Sequence, residues 1–313
     1  MRPEHKEHGV PINADERLIS PSTSMGAVTL RVGDLDRMSA YYSEAFAMEP
    51  VHDRTLGREV HRVLGRGHAP MVRLIHTPDL PGTDPHQAGL FHTAFLFDDA
   101  PSLAATVYRA HQAPGGAFVG CSDHLVSEAF YFTDPEGNGV ELYTDRPRQQ
   151  WAHDGDQIRM ANTYLDPEAY LQAHLSRTAV ESGSELPGSV GHVHLQVGDL
   201  PAARAFYIDA LGFEITNTGY PGALFASAGG YHHHIAMNTW NSRGAGPRAA
   251  RLGLGSVAVT VPDQEDIAAL QARLSARSIP FTSDARTVTA HDPWGTLVTV
   301  SVPDVTAEEL TAQ

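Results

Sequence analysis

Gly26–Leu35 reads GAVTLRVGDL and Gly191–Leu200 reads GHVHLQVGDL, seven of ten positions identical at an offset of 165 residues. Each stretch alternates apolar with other residues and ends in Gly-Asp-Leu, the pattern of a strand running into a helix start. A helical stretch with an aromatic pair follows each one, DRMSAYYSEAF from Asp36 and PAARAFYIDALGF from Pro201. Weaker copies of the unit recur within each half. Phe91–Asp98 (FHTAFLFD) precedes SLAATVYRAHQ, and Gly255–Asp263 (GSVAVTVPD) precedes DIAALQARLSARS. Both of these later units close with a hairpin at an Asp-Pro turn, TDPEGNG around Asp134 and HDPWGT around Asp292. Pro presets φ there and Gly supplies φ > 0, so each unit reads as strand, helix, then two or three antiparallel strands.

Working outward, residues 1–23 read as a polar arm without the apolar run of a signal peptide. Residues 24–145 form a first module of two units and 190–313 a second. Between them, 146–189 is a linker rich in polar residues, Pro and Gly. It carries one short helix, capped by Asp166 with Pro167 at its first position. The chain has 313 residues and a formal charge of −15, which disfavours nucleic acid and anionic membranes as partners. One cysteine, Cys121, excludes an internal disulfide and fits a reducing, cytoplasmic setting. No stretch is apolar for the ~18 residues a bilayer span needs. Eighteen histidines invite a search for metal ligands.

This layout resembles the vicinal oxygen chelate superfamily, which includes glyoxalase I, fosfomycin-resistance proteins and the extradiol dioxygenases. The resemblance covers residues 24–145 and 188–303. It implies an α+β fold in which four βαβββ units form two paired, curved, mixed sheets, with a divalent metal in a cleft. Several chemistries share that fold, so function has to come from the site.

The family draws its ligands from the first and last strands of a unit. The first-strand position falls on Ala27, His92, His192 and Ser256; the last-strand carboxylate position falls on Glu141 and Thr299. Ala27, Ser256 and Thr299 are poor ligands, which leaves His92, His192 and Glu141. Two imidazoles and one carboxylate make the facial triad of non-haem Fe(II) oxygenases. Each residue alone also reads as an ordinary strand residue; the equivalence of their repeat positions is what joins them. The triad forms only if the second unit pairs with the third, within one chain or between two, leaving the first and fourth to make an empty structural cleft.

The resemblance also implies the acid–base residues. GGYHHHIAMNTWNS, from Gly229, resembles the His-His-x-x-Ala pattern of the extradiol dioxygenases and assigns the catalytic role to His233. His234 as a further ligand is the competing choice, because adjacent strand residues face opposite ways. A tyrosine ten residues before the metal Glu is Tyr131, and His124 is the nearest match to an upstream histidine. Trp240 is a candidate aromatic pocket wall, with core packing as the favoured reading. With DPEGNGVELY, these segments look most like those of bacterial catechol 2,3-dioxygenases. The implied function is ring cleavage of a small aromatic diol by O2 to a muconic semialdehyde, with Fe(II) as cofactor and Mn(II) as the alternative. A glyoxalase-like or hydroquinone-cleaving metalloenzyme, or a metal-free binding protein, is the competing reading. Ring substituents, the position of cleavage and any homo-oligomer stay open.

Overall fold

The computed structural model describes residues 18–67, 69–303 and 307–311. The polar arm read at the start therefore lies outside the described residues as far as residue 17. An Asp at the end of each repeat motif, or in the second unit directly after it, caps the helix that follows. Asp34, Asp99, Asp199 and Asp263 accept backbone N–H bonds from the first turns of the helices beginning at Leu35, Ala100, Leu200 and Gln264. Three of these helices are regular. In the third unit the α-helix Leu200–Ala203 widens into π-turns over Arg204–Ala210, where Leu211 N–H reaches back five residues to Phe206 O.

All four units have three strands after the helix, and in each the first and last strands lie side by side and parallel. Two sheets result. One joins the second and third units, with Gly89–Leu96 and Ser189–Gln196 antiparallel at its centre. The other joins the first and fourth, centred on Val28–Val32 and Gly253–Thr260. Each sheet therefore takes one unit from each half of the chain.

What ties the two sheets together is helix packing and the turn chemistry. Helix Leu35–Phe46 packs on helix Ala100–Gln112. Its Tyr42 hydroxyl donates to the Asp134 carboxylate at 3.2 Å, while the other Asp134 oxygen accepts from Glu136 and Asn138 N–H. The duplicate repeats this detail: Tyr207 donates to Asp292 at 3.0 Å. Gly137 and Gly295 both sit at φ 85°, as those turns require. One apolar cluster runs through all four units.

The cleft of the first-and-fourth sheet is not open. Arg73, beside Thr29 in register, donates to Leu310 O at 2.5 Å and lies 3.0 Å from His61 Nδ1, so these side chains and the C-terminal helix Ala307–Leu310 fill it. The linker does more than connect. It holds the helix Pro167–His174, capped by Asp166, and its Thr163 bridges to Asp123 at the edge of the other sheet. Among the described residues, no helix is long and apolar enough to cross a membrane.

Candidate metal centre

Three strands bring His92, Glu141 and His192 to one face. On Gly139–Asp145, Glu141 lies beside Ala94 in register; on Ser189–Gln196, His192 lies opposite the same Ala94. His92 is two residues from Ala94 and so shares its face. Gly191 allows the approach. It sits at a break in register, and a Cβ there would lie 1.7 Å from the Tyr143 hydroxyl, which is bonded to that of Tyr231 at 2.7 Å.

The three ligand atoms lie within 4.8 Å of one another and all three residues are buried. Both imidazoles converge on one oxygen. His92 Nε2 is 2.9 Å and His192 Nε2 is 3.2 Å from Glu141 Oε2. Adjacent ligands on one first-row ion, each at ~2.1 Å, are separated by about 3 Å. Moreover, His92 Nε2 has no hydrogen-bond partner among the described residues despite its closeness to the carboxylate. A buried nitrogen without a partner is costly, and a cation at the shared point would satisfy it. The donor set fits a divalent ion. Burial raises the Glu141 carboxyl, but His192 and His92 outweigh it and hold it well below the usual range. Burial lowers His192 to about 4. At neutral pH the site is thus a carboxylate with an uncharged His192, ready to bind metal without releasing a proton from that ring.

The other expected residues gather around the same point. The His233 ring lies 4.0 Å from that of His192 and lines the cavity. Burial lowers it well below the ordinary histidine range. Behind it runs a chain of hydrogen bonds: His233 Nδ1 to His232 Nδ1 at 2.8 Å, and His232 Nε2 to Asp145 Oδ1 at 2.9 Å. A carboxylate can only accept, so His232 carries its proton at Nε2 and accepts at Nδ1 from His233. With one proton per ring, His233 Nε2 is left as a bare acceptor. His234 turns away: its Nδ1 is bonded to Ser227 Oγ and Ala228 N–H, outside the triad. Opposite, the Tyr131 hydroxyl is 2.6 Å from His124 Nε2, and His124 Nδ1 donates to Ala161 O in the linker. Burial and then Glu141 push the Tyr131 hydroxyl well above 10.

Two features differ from the sequence expectation. Trp240 is no core residue: it is 46% exposed and stands edge-on to Phe91 and His194 at the cavity wall. His194, absent from the expected site, packs at 4.9 Å on the His92 ring and bonds through Nε2 to Asn238 Nδ2 at 2.9 Å. Its signal was present in GHVHLQV, where residues 192 and 194 share a face. Met160 and Asn162 of the linker complete the lining of a cavity of about 800 Å³.

The comparisons agree with this layout. A catechol-2,3-dioxygenase from Bacillus subtilis (strain 168) is 43% identical over 186 residues, which is 57% of this chain and 62% of that protein. The match thus spans less than two thirds of the curated relative. Glyoxalase I from Zea mays superposes with a TM-score of 0.55 at 20% identity, over 90% of this chain and 92% of that one. The cppA protein from Streptococcus pneumoniae TIGR4 does so at 0.51 and 9%, over 89% and 98%. These two speak to the fold alone. Residues 24–142 and 189–300 match the family described as Glyoxalase/Bleomycin resistance protein/Dioxygenase superfamily. Four βαβββ units in two sheets and a family match over most of its length therefore make this chain a member of that superfamily.

Proposed function

We propose that this chain is an extradiol dioxygenase that opens a catechol-type ring with O2, using Fe(II) at His92, Glu141 and His192. One observation carries the reading. His92 and Glu141 of the triad, the cavity-facing His233 and the Tyr131–His124 pair all line one largely apolar cavity, with buried His192 3.2 Å from Glu141. The 43% identity to a catechol-2,3-dioxygenase supports it. When bound, the ion would bring diol and O2 together and stabilise negative charge on the diol oxygens.

The chain's own residues supply the rest. His233 Nε2, unprotonated, accepts a proton from a diol hydroxyl and later returns it as the ring opens. Tyr131 stays protonated at neutral pH and donates to a substrate oxygen, with His124 Nε2 as its resting partner. Phe91, Phe225, Trp240 and Met160 enclose the aromatic ring and keep bulk water from it. Both atoms of O2 enter the product, a muconic semialdehyde, so no external reductant is required.

The test is direct. Protein loaded anaerobically with Fe(II) and mixed with catechol should, on admission of air, consume one O2 per catechol and form a yellow product. A fully iron-loaded protein that consumes none with catechol or substituted catechols would overturn the proposal.

A further inference from the structure

The cavity extends well past the triad. It is lined at one end by His124, Tyr131 and His233, and at the other by Thr83, Gln196, Arg248 and Arg251. At about 800 Å³ it falls in the upper part of the ~300–1,000 Å³ range that takes drug-sized ligands. A single-ring diol on the triad would leave the far end empty.

That end is cationic. The Arg248 guanidinium lies against Gly89, where a Cβ would meet Nε at 3.5 Å, so the missing side chain leaves the guanidinium open to the cavity. Gly89 is three residues from His92 along one strand, about 10 Å at ~3.3 Å per residue. Of the five N–H groups on a guanidinium, Arg248 uses two, to Leu254 O at 2.7 Å and, more weakly, to Thr296 Oγ1 at 3.5 Å. Among the described residues it has no ion pair. The carboxylate whose charge it feels, Asp292, is occupied by Tyr207 and the N–H groups of Trp294 and Thr296. Arg251 adds a second positive charge, with Asp84 only 3.8 Å away as a loose partner and its Nε buried without one. A largely buried guanidinium without a counterion is costly, and a ligand carboxylate is the chemistry that would offset it.

We propose that Arg248, supported by Arg251, is a carboxylate-binding subsite, and that the preferred substrate is a catechol bearing a short arm that ends in a carboxylate. The ring then sits at the triad beside the packed pair Phe91 and Trp240, and the arm spans the distance to Gly89. This rests on the cavity being the dioxygenase substrate site, and its test is separable from that reading.

The probe is 3-phenylpropanoate, which has the arm and no diol, compared with the uncharged 3-phenylpropanamide. Calorimetric titration of the full chain, metal-free and iron-loaded under anaerobic conditions, should show the acid binding at least ten-fold more tightly than the amide. Arg248→Met should erase that preference, and Arg248→Lys should retain part of it. Equal affinities for acid and amide in the unaltered protein would overturn the subsite, even if Arg248→Met failed to fold. So would a preference that survives in a folded Arg248→Met protein, since the anion would then be held at the triad. Neither result requires ring cleavage: catechol turnover with equal affinities sinks the subsite and spares the dioxygenase, and the reverse pattern does the opposite.

Discussion

Asp145→Asn isolates the role of the hydrogen-bond chain behind His233. Asp145 ends the strand that carries Glu141, and its carboxylate receives the His232 Nε2 proton at 2.9 Å; His232 in turn accepts from His233 at 2.8 Å. Asparagine keeps the shape and loses the charge. Its amide can donate to His232 Nε2, which inverts the chain and leaves His233 protonated at the nitrogen that should accept. A hydrogen bond to a charged group contributes about 1.5–3 kcal/mol, and each ~1.36 kcal/mol is ten-fold in rate, so kcat should fall about 10- to 150-fold. Neither triad spacing nor the cavity walls change, so iron content and the KM for catechol should hold. The assay is steady-state O2 uptake, normalised to bound iron. In a His233→Phe background the same substitution should cost nothing further, because the chain then has nothing to orient. Unchanged kcat at full iron occupancy would refute the reasoning, as would a loss that simply adds to that of His233→Phe.

Other consequences can be checked on the same protein. Glu141→Ala removes the oxygen on which both imidazoles converge and should abolish iron retention on gel filtration, together with the thermal stabilisation that bound metal confers on the unaltered protein. Tyr131→Phe should keep its iron and slow ring cleavage by about 10²-fold or more, as loss of a positioned proton donor does; loss of iron would show that the hydroxyl serves the metal. Acid should weaken the metal-free fold. His192 sits at about 4 and His234 at about 3, with His194 and His233 also lowered, all through burial, so between pH ~6.5 and ~4 the unfolded chain binds protons that the folded chain does not. His192 alone is worth about 3 kcal/mol over that window. Asp134, raised to about 6 by burial, and Asp292 work the other way, but the histidines outnumber them. Urea unfolding of metal-free protein at pH 7, 5 and 4 should show stability falling with pH; a flat or rising profile would contradict it.

Much of the fold was legible because its signals are local. Alternation, an Asp cap and an Asp-Pro turn each act within a few residues; the first two recur four times and the turn twice. The pairing of the second unit with the third followed from a chemical demand, since no other arrangement collects two imidazoles and a carboxylate. What was not legible depends on which face of a sheet becomes the inside of a cavity. Period two says that residues 192 and 194 share a face and that 233 and 234 oppose each other, but not that His194 would pack on His92 or which of the latter pair would look inward. Comparing repeats also hid His194, because its counterpart Thr29 is unremarkable. Likewise nothing local marks Ala161 as the carbonyl that orients His124, a contact made 37 residues away by a segment with no regular structure.

The two sheets show why equivalent backbones do not make equivalent sites. Thr299 lies beside Ala258 just as Glu141 lies beside Ala94, so the register of the first-and-fourth sheet would accept a carboxylate at the same place. On the adjoining strands, however, Arg73 reaches across that face to His61 and to Leu310 O. A cation there would face a guanidinium instead of a second imidazole, and the volume that a diol needs is already filled. Restoring ligands at Ala27, Ser256 and Thr299 would thus not create a second centre while Arg73 remains. The same reasoning explains how one sheet can be given to chemistry. The other sheet closes its own cleft with Arg73 and the C-terminal helix, and its units brace the site from behind through Tyr42 on Asp134 and Tyr207 on Asp292.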